Sequence, residues 1–315
     1  MSTISLAVYE VIIYKKNGSI KNTENISDFN NGSDLLNLFQ KLPTFLNTSS
    51  SSITVLDLSQ KRLKISSPEF KPFGRVISGV IETGEFGTEN QIIDKSGNLV
   101  ATKNKDHSAM SPFYFLCDLE KNSKRAILIL QRFSQYGIYS IFSAVIKKEF
   151  EKQHHNYTIR ISPLVSKKAL DAVVKDGVIK KLTFKSIDPT KNSYNINSKN
   201  PSDYFNANEV YCEYNIVAKR NKSISLRNSI SKILGVDAKV SDYITLREFD
   251  YNDIKVKFEI NGKLQTISVN NWQNFSPDID ITSKVNINSA GFPIVGEIER
   301  ATLDLLSDIK TELMR

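Results

Sequence analysis

Residues 113–153, FYFLCDLEKNSKRAILILQRFSQYGIYSIFSAVIKKEFEKQ, decide the fold. Phe113–Asp118 and Ala126–Phe133 are short, nearly unbroken apolar runs, separated by the charged segment Glu120–Arg125. Runs of that length and composition read as central strands. Past Gly137 the period changes. Ile138, Ile141, Phe142, Val145, Ile146 and Phe150 recur at helical spacing, the stripe of an amphipathic helix over Gly137–Gln153. Lys147, Lys148 and Lys152 fall toward its C-terminal end, where the macrodipole favours cations.

Working outward, strands outnumber helices and do not alternate with them regularly. The class expected is therefore α+β: strand-rich mixed or antiparallel sheets with a few packing helices. Residues 3–14 alternate as a strand up to a turn at Asn17-Gly18. Ser33-Asp34 can cap a short helix over Leu35–Leu46, which Pro43 should bend or end early. Short strands are expected at Ile53–Leu58, Leu63–Ser66, Gly74–Glu82, Gln91–Asp94 and Leu99–Thr102, the last two joined by the turn Asp94–Asn98. Tyr157–Ser162, Val178–Ile187 and Glu209–Ala218 continue as strands, with helices expected over Ser166–Lys175 and Ser223–Leu234. Asn261-Gly262 between Ile254–Ile260 and Lys263–Val269 is the strongest hairpin signal in the chain. A terminal amphipathic helix closes it over Pro293–Met314, with Ile294, Ile298, Ala301, Leu305 and Ile309 as its stripe. The polar stretch Asp188–Asn208, with two prolines and no apolar period, predicts a boundary. The expected domains are 1–187 and 209–315, joined by a linker or long loop over 188–208.

Positive charge is local. Lys147 to Lys185 holds ten Lys or Arg against four acids, and Lys219 to Lys239 holds six against one, in a chain whose net charge is +8. The remainder is slightly acidic. Concentrated basic segments predict a polyanion-binding face, with nucleic acid first in line. The candidate phosphate contacts are Lys147, Lys148, Arg160, Lys167, Lys168, Lys180, Lys181, Lys185, Arg220, Lys222 and Arg227. Lysine dominates them, and a mobile point charge without bidentate geometry favours sequence-independent backbone contact over base reading.

Several chemistries lack their motifs. There is no GxxxxGK[ST], GxGxxG, HExxH, CxxC or GxSxG, so no cofactor or metal site is expected and an enzyme is not the leading reading. Cys117 and Cys212 sit in apolar strand-like runs and read as small buried hydrophobes. His154 and His155, in KQHHNY, read as a solvated loop. One alternative enzyme reading places Mg²⁺ on Asp242 and Asp253, with Lys255 supporting the attacking water, as in metal-dependent nucleases. Asp308-Ile309-Lys310 repeats the short pattern on an expected helix, where its charges diverge. A further alternative is an adaptor whose basic face meets an acidic protein or an anionic membrane surface. No run reaches the roughly 18 apolar residues of a membrane span. The opening MSTISLAVYEVIIYKKN reads as a strand rather than a signal peptide, which predicts the cytoplasm.

From residue 113 onward the order of elements resembles that of the RexA phage-exclusion proteins of temperate phages. FYFLCDL leads to a second strand and a helix. TIRISPLVSKKALDAVVKDGVIKKLTF, residues 158–184, is similar to that family's strand, "PL" turn, short helix and basic strand. SKILGVDAKVSDYI, residues 231–244, resembles its "LKVLGA" segment, and a terminal amphipathic helix closes both. Length and layout are also similar to the KwaB component of the Kiwa anti-phage system. The resemblance implies sequence-independent DNA binding, self-association as a dimer or higher oligomer, and a small integral-membrane partner in phage defence. On this chain it falls on Arg160, Lys167, Lys168, Lys180, Lys181 and Lys185, and it implies no catalytic residue.

Overall fold

The structure, a computed structural model, describes residues 3–47, 61–164, 177–187, 211–226, 244, 246, 249–260, 263–270 and 278–313. The class is α+β, with curled antiparallel sheets and a C-terminal helix. The chain divides into two compact units, Met1–Leu164 with Asp278–Arg315, and Val165–Pro277. This corrects the division expected at 188–208. Val178–Ser186, expected to end the first domain, is hydrogen-bonded on both edges to strands of the second unit. The terminal helix, expected in the second domain, belongs to the first unit. Residues 188–208 themselves lie outside the described residues.

The first unit is built on β1 (Ile4–Lys15). One edge of β1 pairs with β7 (Ala126–Phe133), and the sheet continues through β6 (Ser111–Asp118), β3 (Val76–Glu85) and β2 (Lys61–Phe73). Its other edge pairs with β9 (Tyr157–Pro163) and, at Ser5 and Leu6, with β14 (Ile279–Asp280). The short β8 (Tyr136–Gly137) joins β7. All these pairings are antiparallel, and both faces are buried. Alternate residues serve two cores: Phe113, Phe115, Leu128 and Leu130 in one, Tyr114, Leu116, Ile127 and Ile129 in the other. The unbroken apolar runs follow from this double coverage, without any parallel pairing.

On the first face lie α1 (Leu35–Gln40), α2 (Leu42–Asn47) and α3 (Tyr139–Gln153). The Asp34 carboxylate accepts the Leu36 N–H at 2.9 Å and caps α1 as expected. The single helix expected over Leu35–Leu46 is interrupted at Lys41. Pro43 then sits in the first turn of α2, where its missing N–H costs no helical hydrogen bond. Ile141, Phe142, Val145, Ile146 and Phe150 of α3 are buried, and the Phe142 ring lies 5.7 Å from that of Phe115. Each such side chain contributes about 1.5–3 kcal/mol by leaving water. The second face is covered by α4 (Val295–Leu313). Ile298, Ala301 and Ile309 of the expected stripe are buried. Leu306 and Thr302 complete it, with Leu305 half-buried and Ile294 exposed. Among the described residues no helix is long and apolar enough to cross a membrane.

β4 (Asn90–Ile93) and β5 (Leu99–Lys103) form a separate two-stranded hairpin around Asp94, whose carboxylate accepts the Ser96 and Asn98 N–H groups. The second unit contains the sheet β11 (Cys212–Val217), β10 (Val178–Ser186), β12 (Asp253–Ile260) and β13 (Lys263–Ser268), in that order and antiparallel throughout. The hairpin predicted from Asn261-Gly262 is present, with Ile260 opposite Lys263, although the two turn residues lie outside the described set. Leu182, Phe184, Ile254, Val256, Phe258 and Ile267 bury one face of this sheet. The helix expected to begin at Ser223 does not begin there: 223–226 is irregular, held by Ile224 N–H to the Ile179 carbonyl at 3.0 Å. Its remainder, the helix expected over Ser166–Lys175 and the strand expected over Ile53–Leu58 lie outside the described residues.

Candidate nucleic-acid interface

The sequence of β10, VIKKLTFKS, carries its apolar residues out of step. Ile179 and Leu182 both enter the core, although they are three apart. A bulge between Ile179 and Lys181 absorbs the extra residue, Lys180, and restores the alternation. Beyond it Leu182 and Phe184 point into the core while Lys181, Thr183 and Lys185 lie on the opposite face. Across the strand pair Lys181 meets Lys257, Thr183 meets Lys255 and Lys185 meets Asp253. On the other side the same residues meet Val217, Asn215 and Glu213.

The bulge also fixes the turn after β11. Ala218 N–H donates to the Lys180 carbonyl at 2.9 Å, and Lys222 N–H closes the turn on the Lys219 carbonyl at 2.9 Å. Asn221 takes φ 59°, a left-handed conformation that Asn tolerates. Lys180 Nζ reaches the Lys222 carbonyl at 3.3 Å and the Glu259 carboxylate at 2.9 Å. Two basic segments separated in sequence thus meet at one corner of the sheet. It gathers Lys180, Lys181, Lys219, Arg220, Lys222 and Lys257, with Glu259 among them. Among the described residues, neither Lys181 nor Lys257 has a carboxylate within ion-pair distance.

The other end of this face has a different character. Lys255 Nζ lies 3.8 Å from Glu213, and Asp253 accepts the Ser268 hydroxyl at 2.8 Å and the Asn270 N–H at 3.3 Å. Lys185 Nζ sits 4.1 Å from the centre of the Tyr211 ring, a cation–π contact, and Tyr211 is 56% exposed. Between the two ends the Thr183 hydroxyl donates to the Asn215 side-chain oxygen at 2.7 Å.

Of the predicted site residues, Lys180, Lys181, Lys185, Arg220 and Lys222 share this sheet and its turn. Lys147 and Lys148 on α3 and Arg160 on β9 are exposed in the first unit, and Lys147 lies 4.0 Å from Glu151, which Lys16 also approaches at 3.9 Å. Lys167, Lys168 and Arg227 lie outside the described residues. Lys219 and Lys257 were missed as contacts, and Lys255 entered only as a nuclease residue. The signal for Lys255 and Lys257 is their i, i+2 spacing on a strand, but their meeting with β10 depends on register.

For the nuclease alternative, Asp253 and Lys255 do share a face of β12, while Asp242 lies outside the described residues. Among the described residues no cluster of three or more His, Cys, Asp and Glu is placed to hold a metal ion. Lys310 of the second short pattern turns away to Asp118, 2.7 Å distant. The histidine pair corrects one expectation. His155 is exposed, but His154 is half-buried at the end of α3, its ring 4.9 Å from Phe29 and 5.0 Å from Phe150. Its Nδ1 meets Asn30 Nδ2 at 3.2 Å, and burial holds its pKa below the usual imidazole value. Those contacts fix the exit of α3 against the first unit's core. Comparison with protein-family models gives no match, and comparison with curated proteins gives none either.

Proposed function

We propose that the chain is a sequence-independent DNA-binding protein that grips phosphates with the basic corner of the β11-β10-β12-β13 sheet. One observation carries the reading: Lys181 and Lys257 face each other on adjacent strands without a described carboxylate partner. Like charges directly opposed across a strand pair cost about 0.2–1 kcal/mol. A polyanion lying over them would turn that cost into attraction, and Lys219, Arg220 and Lys222 enlarge the target. The side chains are flexible point charges, suited to backbone contact and not to reading bases.

The wider role stays within the same proposal. It is that of a non-catalytic effector of bacterial anti-phage defence, cytoplasmic, self-associating, and working beside a small integral-membrane protein. The resemblance to RexA and KwaB supports that part, and the basic corner supports the DNA contact it requires.

Fluorescence anisotropy with labelled random-sequence DNA at several salt concentrations tests the binding. If about 5 phosphates are contacted, log K against log salt falls with a slope near −4.5 on duplex, or near −3.5 on a single strand. Charge reversal of Lys180, Lys181, Arg220 and Lys222 to Glu is expected to abolish binding to every sequence alike. A salt-independent affinity, or binding untouched by the four reversals, overturns the proposal.

A further inference from the structure

We infer that the DNA bound by this sheet is single-stranded. The inference rests on the DNA-binding reading just given and names its substrate class. The open face is not uniformly basic. From Lys181 to Lys185 the strand advances about 13 Å at roughly 3.3 Å per residue. Over that distance the surface passes from the basic corner to a row in which Glu213 and Asp253 flank Lys185 on the neighbouring strands.

A duplex carries one negative charge per about 1.7 Å of its axis, so roughly eight charges would cover this span. Those at the far end would stand over a charge-balanced patch, Lys185 and Lys255 against Glu213 and Asp253, and would gain little there. A single strand is free of that constraint. Its phosphates can stay at the corner while its uncharged bases lie over the charge-balanced row.

That row is furnished for bases. Tyr211, 56% exposed, offers an aromatic surface held in place by Lys185 over its ring. Stacking on such a ring tolerates any base, as every base has a π-face. In the next row of the sheet stand Asn215 on β11, whose side chain is exposed, and Ser268 on β13, with Thr183 and Lys255 between them. Sequence independence then follows from stacking and phosphate contact together. The geometry assigns phosphates to one end of the face and bases to the other.

Anisotropy titrations of the whole chain with dT30, with a 30-base-pair duplex and with an unlabelled competitor of each test this. The single strand is expected to bind at least about 10-fold tighter at equal salt. Tyr211→Ala should weaken dT30 binding by roughly 5- to 30-fold and change duplex binding by less than about 2-fold, with Tyr211→Phe keeping parental affinity. Lys181→Glu should weaken both. Equal or tighter duplex binding, or dT30 affinity unmoved by Tyr211→Ala, overturns the single-strand inference and leaves DNA binding standing. Failure of both DNAs to bind overturns the underlying function as well.

Discussion

Lys181 and Lys257 stand directly opposite each other on the antiparallel strands β10 and β12, both on the solvent side of the sheet. The arrangement works against the fold, so stability and binding should respond to it in opposite directions. Lys181→Glu converts the like pair into an opposite pair. Urea unfolding is expected to show a gain of about 0.5–1 kcal/mol. The same variant should bind DNA several-fold more weakly. The double change Lys181→Glu and Lys257→Glu restores a like pair and should return the stability to its parental level. A Lys181→Glu protein less stable than its parent would show that the opposition carries no cost.

Asp34 joins three parts of the first unit. Its carboxylate caps α1 and receives two bonds from the Arg75 guanidinium, at 2.8 and 2.9 Å, while Arg75 Nε donates to the Leu119 carbonyl. Burial by itself would raise the Asp34 pKa, but Arg75 and the Leu36 N–H outweigh it and hold the carboxyl below its ordinary value. The folded protein therefore binds this proton less readily than the unfolded chain. The stabilisation is complete above the ordinary aspartate value of about 3.9 and is lost as pH falls through the lower folded value. Asp34→Asn should cost about 2 kcal/mol at pH 7, the scale of charged hydrogen bonds, and the deficit should shrink toward pH 3. Thermal unfolding between pH 3 and 7 measures it, and a deficit that does not change with pH would sink the assignment.

Local patterns carried most of the fold and only part of the site. Helix α3 and the strands β6 and β7 could be read from period and composition, since both are properties of neighbouring residues. Pairing partners were not legible. Nothing in VIKKLTFKS states that Lys181 will face a residue 76 positions later, because register is set by the core that Leu182, Phe184, Val256 and Phe258 share. The bulge at Lys180 compounds this, since one inserted residue changes which lysines face solvent. The return of β14 and α4 to the first unit was hidden for the same reason. An amphipathic stripe on α4 announces a helix that needs covering, and it does not name the sheet that covers it.

The C-terminal helix is fastened by a charge. Lys310 Nζ lies 2.7 Å from Asp118 and 3.8 Å from Glu120, and Asp118 is only 4% exposed. Lys310→Met would leave a buried carboxylate without that partner, which is costly when a pair is broken from one side. Because Lys310 keeps some exposure, the expected loss is about 2 kcal/mol, below the 3–5 kcal/mol of fully buried pairs. Adding Asp118→Asn to Lys310→Met should recover part of it. A double-mutant cycle by chemical denaturation measures the coupling, and a coupling within about 0.3 kcal/mol of zero would remove the pair from the account of how α4 docks.

The two cysteines offer a probe of each unit separately. Cys117 on β6 is fully buried, and burial, with the adjacent Asp118 adding to it, pushes its thiol well above the ordinary range. Thiolate is the reactive form, so this thiol is doubly protected, by access and by protonation. Cys212 at the start of β11 is only half-buried. A maleimide at pH 8 is therefore expected to label Cys212 first in native buffer. Cys117 should react only when the first unit opens, at a rate that rises with denaturant in parallel with global unfolding. Quenched labelling followed by peptide mass mapping distinguishes the two sites. Cys117 labelling as fast as Cys212 in native buffer would show that the doubly covered sheet opens far more readily than its packing implies, and Cys117→Ala would then cost little stability.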